Sequence, residues 1–431
     1  MLTRSVAALA AVLILGLAPV FAQPQRRLDE AFDAYWNAAD ARDAARQIDG
    51  VLKTGADFDT LYERLAKGRT YRVEKTGTQV FRAPAVQGTF ENRVDIPDDY
   101  DPAAKLPLRV QLHGGVMREQ VQDDRPLGRG GRAAANRIPG ERQIVIQPSG
   151  WVDAPWWSAA QMDNIARLVD QVTRRYNVDE SQIYLTGISD GGTGCYYIAT
   201  RDATRWSAVM PLNGSIIVLR NPATGADGEV FPLNLVNTPL FIVNGGRDPL
   251  YPVSDVSKAV EWMEALGAPL RFRPQPTAGH DTSWWPTERE TFERFVHEHP
   301  RDAHPPRVLW ETERTDRFNR AKWLVIDKLG AAGSDVPVPS DGVFRHKRPS
   351  GRVDVRRNAN VFVAASHGVK EFRVLLSPAV VDFTKPVTMM VNGRQVFSGP
   401  VTKDPRVLLT WHARDNDRAM LYGAELRVVV P

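Results

Sequence analysis

Two patterns of apolar and polar positions alternate between residues 80 and 299. Short apolar runs end at glycine, proline or histidine, and the segments between them place apolar residues at helical spacing. This alternation indicates a mainly parallel sheet covered by helices on both faces. We therefore predict a doubly wound α/β domain over residues 80–300. The predicted strands are 106–112, 143–147, 183–186, 238–243 and 270–273, and the predicted helices are 165–176, 195–200, 256–266 and 288–297.

The segment before this domain has helical periodicity only. Leu28, Phe32 and Tyr35 share one helix face, Gly50 interrupts the pattern, and a shorter helix follows around residues 58–65. This N-terminal helical segment, residues 23–79, either packs against the next domain or covers its site. Packing is the favoured alternative.

The pattern changes again after residue 300. Residues 299–306 contain adjacent prolines and are predicted to form a linker. Beyond them lie short β-prone runs, and Asn392-Gly393 between two of these predicts a tight hairpin. We predict a separate antiparallel β-rich accessory domain over residues 307–431. Carbohydrate contact, docking and shielding of the preceding domain all stay open as its role.

The first 22 residues have the layout of a secretory signal peptide. Arg4 precedes an apolar run over residues 6–17, and Val20 and Ala22 are small residues suited to a cleavage site. The run is too short for a comfortable membrane span, which leaves an uncleaved anchor as the less favoured alternative. We expect a secreted or periplasmic protein with no integral membrane segment after cleavage.

Composition narrows the classes of partner. Lys and Arg number 55 against 51 Asp and Glu, without a block of like charge, which argues against nucleic acid or an anionic membrane as the main partner. Cys195 is the only cysteine, so no internal disulfide can form. One cysteine with scattered histidines also argues against a structural metal site.

The motif Gly187-Ile-Ser189-Asp-Gly191 follows a predicted strand and precedes a predicted helix. The chain must reverse sharply there, and glycines on either side leave room for Ser189 to project above the sheet edge. A serine hydroxyl in this setting is a candidate nucleophile, and the N-terminus of the helix behind it favours a developing oxyanion.

A nucleophilic serine needs a base and an acid that orients the base. Of the eight histidines, His280 alone follows a predicted strand after the serine and lies in a turn. Between them, Asp248 comes directly after the strand 238–243, with Asp255 as the runner-up. We predict Ser189, Asp248 and His280 as a catalytic triad in the chain order of α/β-hydrolases.

His113-Gly114-Gly115 closes an early strand and is predicted to supply backbone N–H groups of an oxyanion hole. The second donor is expected to be the N–H of Asp190, the residue after the serine. His113 is expected to hold this loop in place rather than to take part in the chemistry.

These motifs, together with Trp156-Trp157, resemble the esterase family that contains polyhydroxybutyrate depolymerase-like enzymes and feruloyl and acetylxylan esterases. They resemble prolyl-oligopeptidase-type hydrolases more distantly. The resemblance covers about residues 80–300 and implies an α/β-hydrolase fold, a cofactor-free acyl-enzyme mechanism and an ester substrate. Asp190 is a departure, because the esterases usually carry a neutral residue there. Its charge would oppose an oxyanion unless the side chain is paired or turned away.

Four tryptophans lie next to the predicted cleft: Trp156, Trp157, Trp284 and Trp285. Stacking on a sugar or phenolic ring of the substrate and packing in the core are equally weighted explanations. The predicted function is hydrolysis of a small-molecule or polymer ester, such as a plant-polysaccharide ester or a polyester. A secreted serine peptidase and a non-catalytic scaffold on the same fold are the alternatives.

Overall fold

The computed structural model describes residues 22–86, 88–119, 140–226, 230–330, 343–344 and 349–431. Apart from its last residue, the predicted signal peptide, residues 1–22, lies outside the described residues. Within the described ranges, no helix combines the length and the apolar character needed to cross a membrane.

An eight-stranded sheet organises the middle of the chain. Its strands run in the order β1-β2-β4-β3-β5-β6-β7-β8. β1 and β2 form an antiparallel hairpin at one edge, and the neighbours from β4 to β8 pair in parallel. The predicted α/β class is confirmed. The strands are β1 (Gly77–Pro84), β2 (Thr89–Ile96), β3 (Leu106–Leu112), β4 (Ile144–Gln147), β5 (Val178–Ile188), β6 (Val209–Leu212), β7 (Leu240–Gly245) and β8 (Leu270–Gln275).

Helices bury both faces of this sheet. Side chains alternate along a strand, so Ile183 and Leu185 of β5 join one apolar cluster while Tyr184 joins another on the opposite face. A strand buried on both sides reads as a continuous apolar run, which is why β3 and β7 were predictable. Four helices accompany the sheet: α4 (Ala159–Arg175), α5 (Asp190–Arg201), α6 (Val253–Ala265) and α7 (Trp285–Glu298).

Three helices precede the sheet: α1 (Ala22–Trp36), α2 (Ala41–Leu52) and α3 (Phe58–Lys67). The predicted interruption at Gly50 is wrong, because Gly50 lies inside α2. α2 ends two residues later at Leu52, and a second, unpredicted break precedes α2, where the Asp40 carboxylate accepts the Asp43 N–H and caps its start.

The N-terminal helices pack on a late helix, α8 (Pro405–Asp415). Phe32 and Leu61 join Leu408 in one apolar cluster, and the Tyr35 hydroxyl lies 2.9 Å from His412 Nδ1. The alternative that they pack rather than cover the site is therefore favoured, although their partner lies at the other end of the chain.

Two further sheets follow residue 306. Their orders are β10-β11-β14-β17 and β16-β15-β13-β12-β9, antiparallel except for the parallel pair β13–β15. The predicted hairpin joins β15 to β16, with φ of 48° at Asn392 and 80° at Gly393. The predicted boundary at residues 300–307 stays a prediction. The strands are β9 (Arg307–Thr312), β10 (Arg320–Ala321), β11 (Leu324–Leu329), β12 (Gly351–Asn358), β13 (Val361–His367), β14 (Val369–Leu376), β15 (Val387–Val391), β16 (Arg394–Gly399) and β17 (Ala424–Val429).

A buried ion pair connects the C-terminal sheets to the helix that begins at the motif serine. Arg201 in the last turn of α5 and Glu313 after β9 form two hydrogen bonds of 2.7 Å, and each side chain is 1% exposed. Bidentate pairing of this kind compensates the cost of burying both charges. The two parts of the chain are thus joined behind the site.

Candidate active site

Ser189 occupies a strained turn between β5 and α5. Its φ of 58° and ψ of −122° are unusual for a residue with a side chain. The flanking glycines make the turn possible. A Cβ on Gly187 would lie 2.1 Å from the carbonyl oxygen of Gly191, and one on Gly191 would lie 2.4 Å from that of Leu112. The sharp reversal predicted from the motif is therefore present.

His280 connects the serine to Asp248. Its Nε2 lies 2.9 Å from Ser189 Oγ, and its Nδ1 lies 2.7 Å from Asp248 Oδ2. The three residues follow β5, β7 and β8, whose carboxyl ends meet at one edge of the sheet. The runner-up acid, Asp255, lies on α6 and pairs with Lys258 at the surface.

The surroundings of Asp248 fix the tautomer of His280. The carboxylate is fully buried, and its Oδ1 accepts the N–H groups of Leu250 at 2.8 Å and Tyr251 at 3.0 Å. An ionised carboxylate only accepts, so His280 Nδ1 carries the proton that it donates to Asp248. Nε2 is then free to accept the hydroxyl proton of Ser189.

Asn213, which the sequence analysis missed, ties the two supporting loops together. Its side-chain oxygen accepts the Gly245 N–H at 3.2 Å, and its side-chain amide donates to the carbonyl of Asp281 at 2.6 Å. The first contact lies at the end of β7 and the second directly after His280. An asparagine after a strand of a parallel sheet was the available signal.

The loop after β3 approaches the serine closely. A Cβ on Gly114 would lie 2.9 Å from Ser189 Cβ, and Gly115 has a φ of 73°, which glycine adopts without strain. His113 fixes the loop, since its Nδ1 donates to the Gly114 carbonyl and its Nε2 accepts the Gly150 N–H. Burial lowers the pKa of His113, which keeps it neutral.

Asp190 is paired rather than directed at the serine. Its Oδ2 accepts the backbone N–H of Val116 at 2.9 Å, so the carboxylate anchors the loop that carries Gly114 and Gly115. It also lies in the first turn of α5, where negative charge is favourable. The negative charge of Asp190, which departs from the pattern of the resembling esterases, is therefore paired with the N–H of Val116.

The four tryptophans predicted near the cleft lie in the core. Trp156, Trp157, Trp284 and Trp285 are between 0% and 6% exposed. The Trp156 indole donates to the His113 carbonyl at 2.8 Å and so braces the loop from beneath. A buried ring has no free face for a sugar or phenol, which favours the packing explanation over stacking on substrate.

Apolar side chains that are exposed beside the site were not identified from the sequence. Met117 is 49% exposed, Val152 39% and Leu250 64%. Met117 follows the Asp190-anchored loop, and Val152 N–H donates to the carbonyl of Arg118 on that loop at 2.8 Å. Leu250 lies on the other side, since β3 and β7 flank β5 on opposite sides. Met117 and Leu250 thus follow strands that lie on opposite sides of β5.

Among the described residues, no cluster of three or more His, Cys, Asp or Glu side chains is arranged to hold a metal ion. Cys195 is fully buried in α5, and burial raises the pKa of its thiol.

No protein-family model matches the chain. Over 169 residues it is 31% identical to probable feruloyl esterase C of Aspergillus niger, which covers 38% of this chain and 56% of that protein. Over 189 residues it is 31% identical to feruloyl esterase C of Emericella nidulans, covering 43% and 64%. The chain thus spans less than two thirds of the length of these relatives.

A solved ferulic acid esterase aligns with 17% identity and a TM-score of 0.38, over 52% of this chain and 98% of that one. The predicted resemblance to feruloyl esterases is confirmed by the sequence relatives. The predicted α/β class is shown by the sheet itself, whose strands from β4 to β8 pair in parallel.

Proposed function

We propose that this protein is a serine hydrolase that cleaves carboxylic esters through an acyl-enzyme. The observation that carries the proposal is the unbroken line of hydrogen bonds from Ser189 through His280 to Asp248, at 2.9 and 2.7 Å. The names of the relatives support an ester as the substrate.

In the proposed first step, His280 Nε2 takes the proton of Ser189 as Oγ attacks the carbonyl carbon of the ester. Asp248 stabilises the imidazolium through the hydrogen bond at Nδ1. The imidazolium then protonates the departing alcohol, which leaves the acyl group on Oγ. Water attacks in the second step with His280 again as base, and the acid is released.

Backbone donors are proposed to hold the oxyanion of each tetrahedral intermediate. These are the N–H groups of Asp190 and of the loop at Gly114 and Gly115. The contact of Asp190 with Val116 supports this assignment, because it anchors the loop without directing a negative charge at the oxyanion.

The borders of the site suit an apolar acyl or aryl group. If a ring or short chain of the substrate covers exposed Met117 after β3 or exposed Leu250 after β7, the burial is favourable at about 25 cal/mol per Å² of apolar surface. Aromatic acyl esters of plant polysaccharides combine such a ring with the chemistry named in the relatives. We therefore propose a feruloyl-type ester over a peptide.

Export and carbohydrate contact belong to the same proposal. The signal-like residues 1–22 support export, and N-terminal sequencing of the exported product should begin at Gln23. Contact of the C-terminal sheets with polysaccharide would be tested by retention of the full-length Ser189→Ala protein on insoluble arabinoxylan from which the feruloyl esters have been removed, so that the proposed active site has no ester to bind.

The decisive experiment compares Ser189→Ala with Ser398→Ala, a matched change at an exposed serine of β16. Methyl ferulate, 4-nitrophenyl acetate and an aminoacyl anilide serve as substrates, and a fluorophosphonate probe reports the nucleophile. We expect Ser189→Ala to lose labelling and to lose ester hydrolysis by about 10⁴-fold or more, while Ser398→Ala keeps both. Equal hydrolysis by the two folded variants would refute the assignment. Faster turnover of the anilide than of the esters would favour a peptidase.

A further inference from the structure

The end of β6 contacts the backbone that carries each member of the proposed triad. β6 lies between β5 and β7 in the sheet and contributes no member of the triad itself. The carbonyl of Leu212, its last residue, accepts the backbone N–H of Ser189 at 2.9 Å. Asn213, the next residue, contacts the loops of Asp248 and His280 through its side chain. Two consecutive residues thus touch all three supporting segments.

The backbone of Asn213 has a conformation that few residues adopt readily. Its φ is 46°, its N–H donates to the carbonyl of Val243 at 2.7 Å, and its side chain is fully buried. Asparagine and glycine tolerate this left-handed conformation better than most residues do. The turn out of β6 therefore favours asparagine, and its side chain starts from a fixed point.

The oxygen of the Asn213 amide holds the start of the turn that carries the acid. It accepts the N–H of Gly245 at 3.2 Å, and the carbonyl of Gly245 in turn accepts the N–H of Asp248 at 3.3 Å. The position of the acid therefore depends on a residue whose N–H is bound by Asn213.

The nitrogen of the same amide holds the segment that carries the base. Before His280, the carbonyl of Ala278 accepts the N–H of Arg247 at 2.9 Å. After His280, the carbonyl of Asp281 accepts the Asn213 amide at 2.6 Å. The histidine is thus held by backbone hydrogen bonds on both sides, and Asn213 provides the one that follows it.

We propose that Asn213 is a positioning residue of the triad, whose amide keeps the His280 ring in line with Ser189 and Asp248. The inference rests on the proposed function of the triad. The role needs a donor and an acceptor on one short side chain, which an amide supplies. Because His280 acts as the base in acylation and again in deacylation, a displaced ring slows both steps. Loss of the amide should therefore lower kcat and leave KM nearly unchanged.

The first test compares Asn213→Gly with Asn416→Gly in the full-length chain. Asn416 is a matched control, since it is buried, has a φ of 49°, donates to Thr173 at 3.0 Å and accepts from Arg69 at 2.6 Å. Glycine adopts this φ without strain, so each change removes only the side chain. With 4-nitrophenyl acetate, we expect Asn213→Gly to lower kcat by about 10- to 100-fold with KM within about twofold of the wild type. Fluorophosphonate labelling should slow in parallel. Asn416→Gly should lower the urea midpoint and keep the wild-type kcat.

The second test uses Asn213→Asp, which keeps the shape of the side chain. A protonated carboxyl group offers a donor and an acceptor, as the amide does, whereas an ionised one only accepts. Burial favours the protonated form, so the donor to the Asp281 carbonyl should be lost as the pH rises from about 6 to about 9. We therefore expect kcat of this variant, relative to the wild type at the same pH, to fall across that range. A purely structural role would leave the ratio constant in the folded protein.

Three results would overturn the proposal: wild-type kcat in folded Asn213→Gly, equal losses of kcat in Asn213→Gly and Asn416→Gly, or a constant ratio for Asn213→Asp. The Ser189→Ala protein separates these failures from failure of the proposed function. If Ser189→Ala stays active, the triad assignment falls. If it is inactive and Asn213→Gly is normal, only the role of Asn213 falls.

Discussion

Replacing Asp190 by alanine should impair catalysis by releasing the loop after β3. The change removes the carboxylate that accepts the Val116 N–H at 2.9 Å but keeps the backbone N–H of residue 190. Val116 is fully buried, so its N–H would be left without that acceptor. An unsatisfied buried donor costs about 1–3 kcal/mol.

The unsatisfied N–H destabilises the loop conformation in which Gly114 lies against Ser189. If the loop must return to that conformation for each reaction, the full cost appears in the barrier. At about 1.4 kcal/mol per factor of ten, kcat/KM should fall by about five- to 150-fold. Asp190→Asn is the matched control, because its amide oxygen still accepts the Val116 N–H without the charge. We expect it to stay within about fivefold of the wild type.

The assay is kcat/KM for 4-nitrophenyl acetate, with the urea midpoint measured on each variant. Both changes remove a negative charge from the first turn of α5, which should lower stability by about 0.3–1 kcal/mol in each. Asp190→Ala should lose up to about 1–3 kcal/mol more, because it also leaves the Val116 N–H unsatisfied. Wild-type activity of Asp190→Ala would show that the anchor is dispensable. Equal damage in both variants would show that the charge matters rather than the acceptor.

Three further substitutions test the glycine next to Ser189, the buried ion pair and a buried lysine. Gly114→Ala should reduce kcat/KM by at least about tenfold, because its Cβ would lie 2.9 Å from Ser189 Cβ, and fluorophosphonate labelling should slow in parallel. Glu313→Ala should lower the free energy of unfolding by about 3–5 kcal/mol in urea titration, since it removes the carboxylate that accepts two hydrogen bonds from buried Arg201; a double change of both to apolar residues should recover most of the loss. Lys322 is buried and its pKa is lowered from 10.5 to about 7, so the unfolded chain binds the extra proton between these values and stability should rise with pH across that window. Lys322→Met should flatten this rise, and an unchanged slope would contradict the argument.

The arrangement of the proposed triad was predictable because each part depends on local sequence pattern. Glycines beside Ser189, the strand before it and the helix after it are all sequence features of a sharp turn. The order of Ser189, Asp248 and His280 along the chain then fits strands that end at one edge of a parallel sheet. Apolar runs such as β3 are buried on both faces and therefore stand out.

Features that depend on the direction of a side chain were not predictable. A tryptophan after a strand faces either the groove or the core, and Trp156 turned towards the core to brace His113. In the sequence, the charge of Asp190 was expected to oppose an oxyanion unless the side chain was paired or turned away. Only the structure shows that the carboxylate accepts the N–H of Val116. The helix α8 had a readable signal, because Asp404 before Pro405 is a capping pair ahead of an apolar run. Short β-prone runs on either side obscured it.

The docking of the N-terminal helices on α8 sets an order of events in folding. Tyr35 and His412 are 377 positions apart in the chain. At a synthesis rate of about 5–20 residues per second, roughly 20–75 s pass between the appearance of one and of the other. The apolar face that includes Phe32 and Leu61 lacks α8, its partner from the end of the chain, during that time. The first helices to be made are therefore the last to be buried, and a chain that ends before residue 405 should aggregate through them even though it contains every residue of the proposed triad.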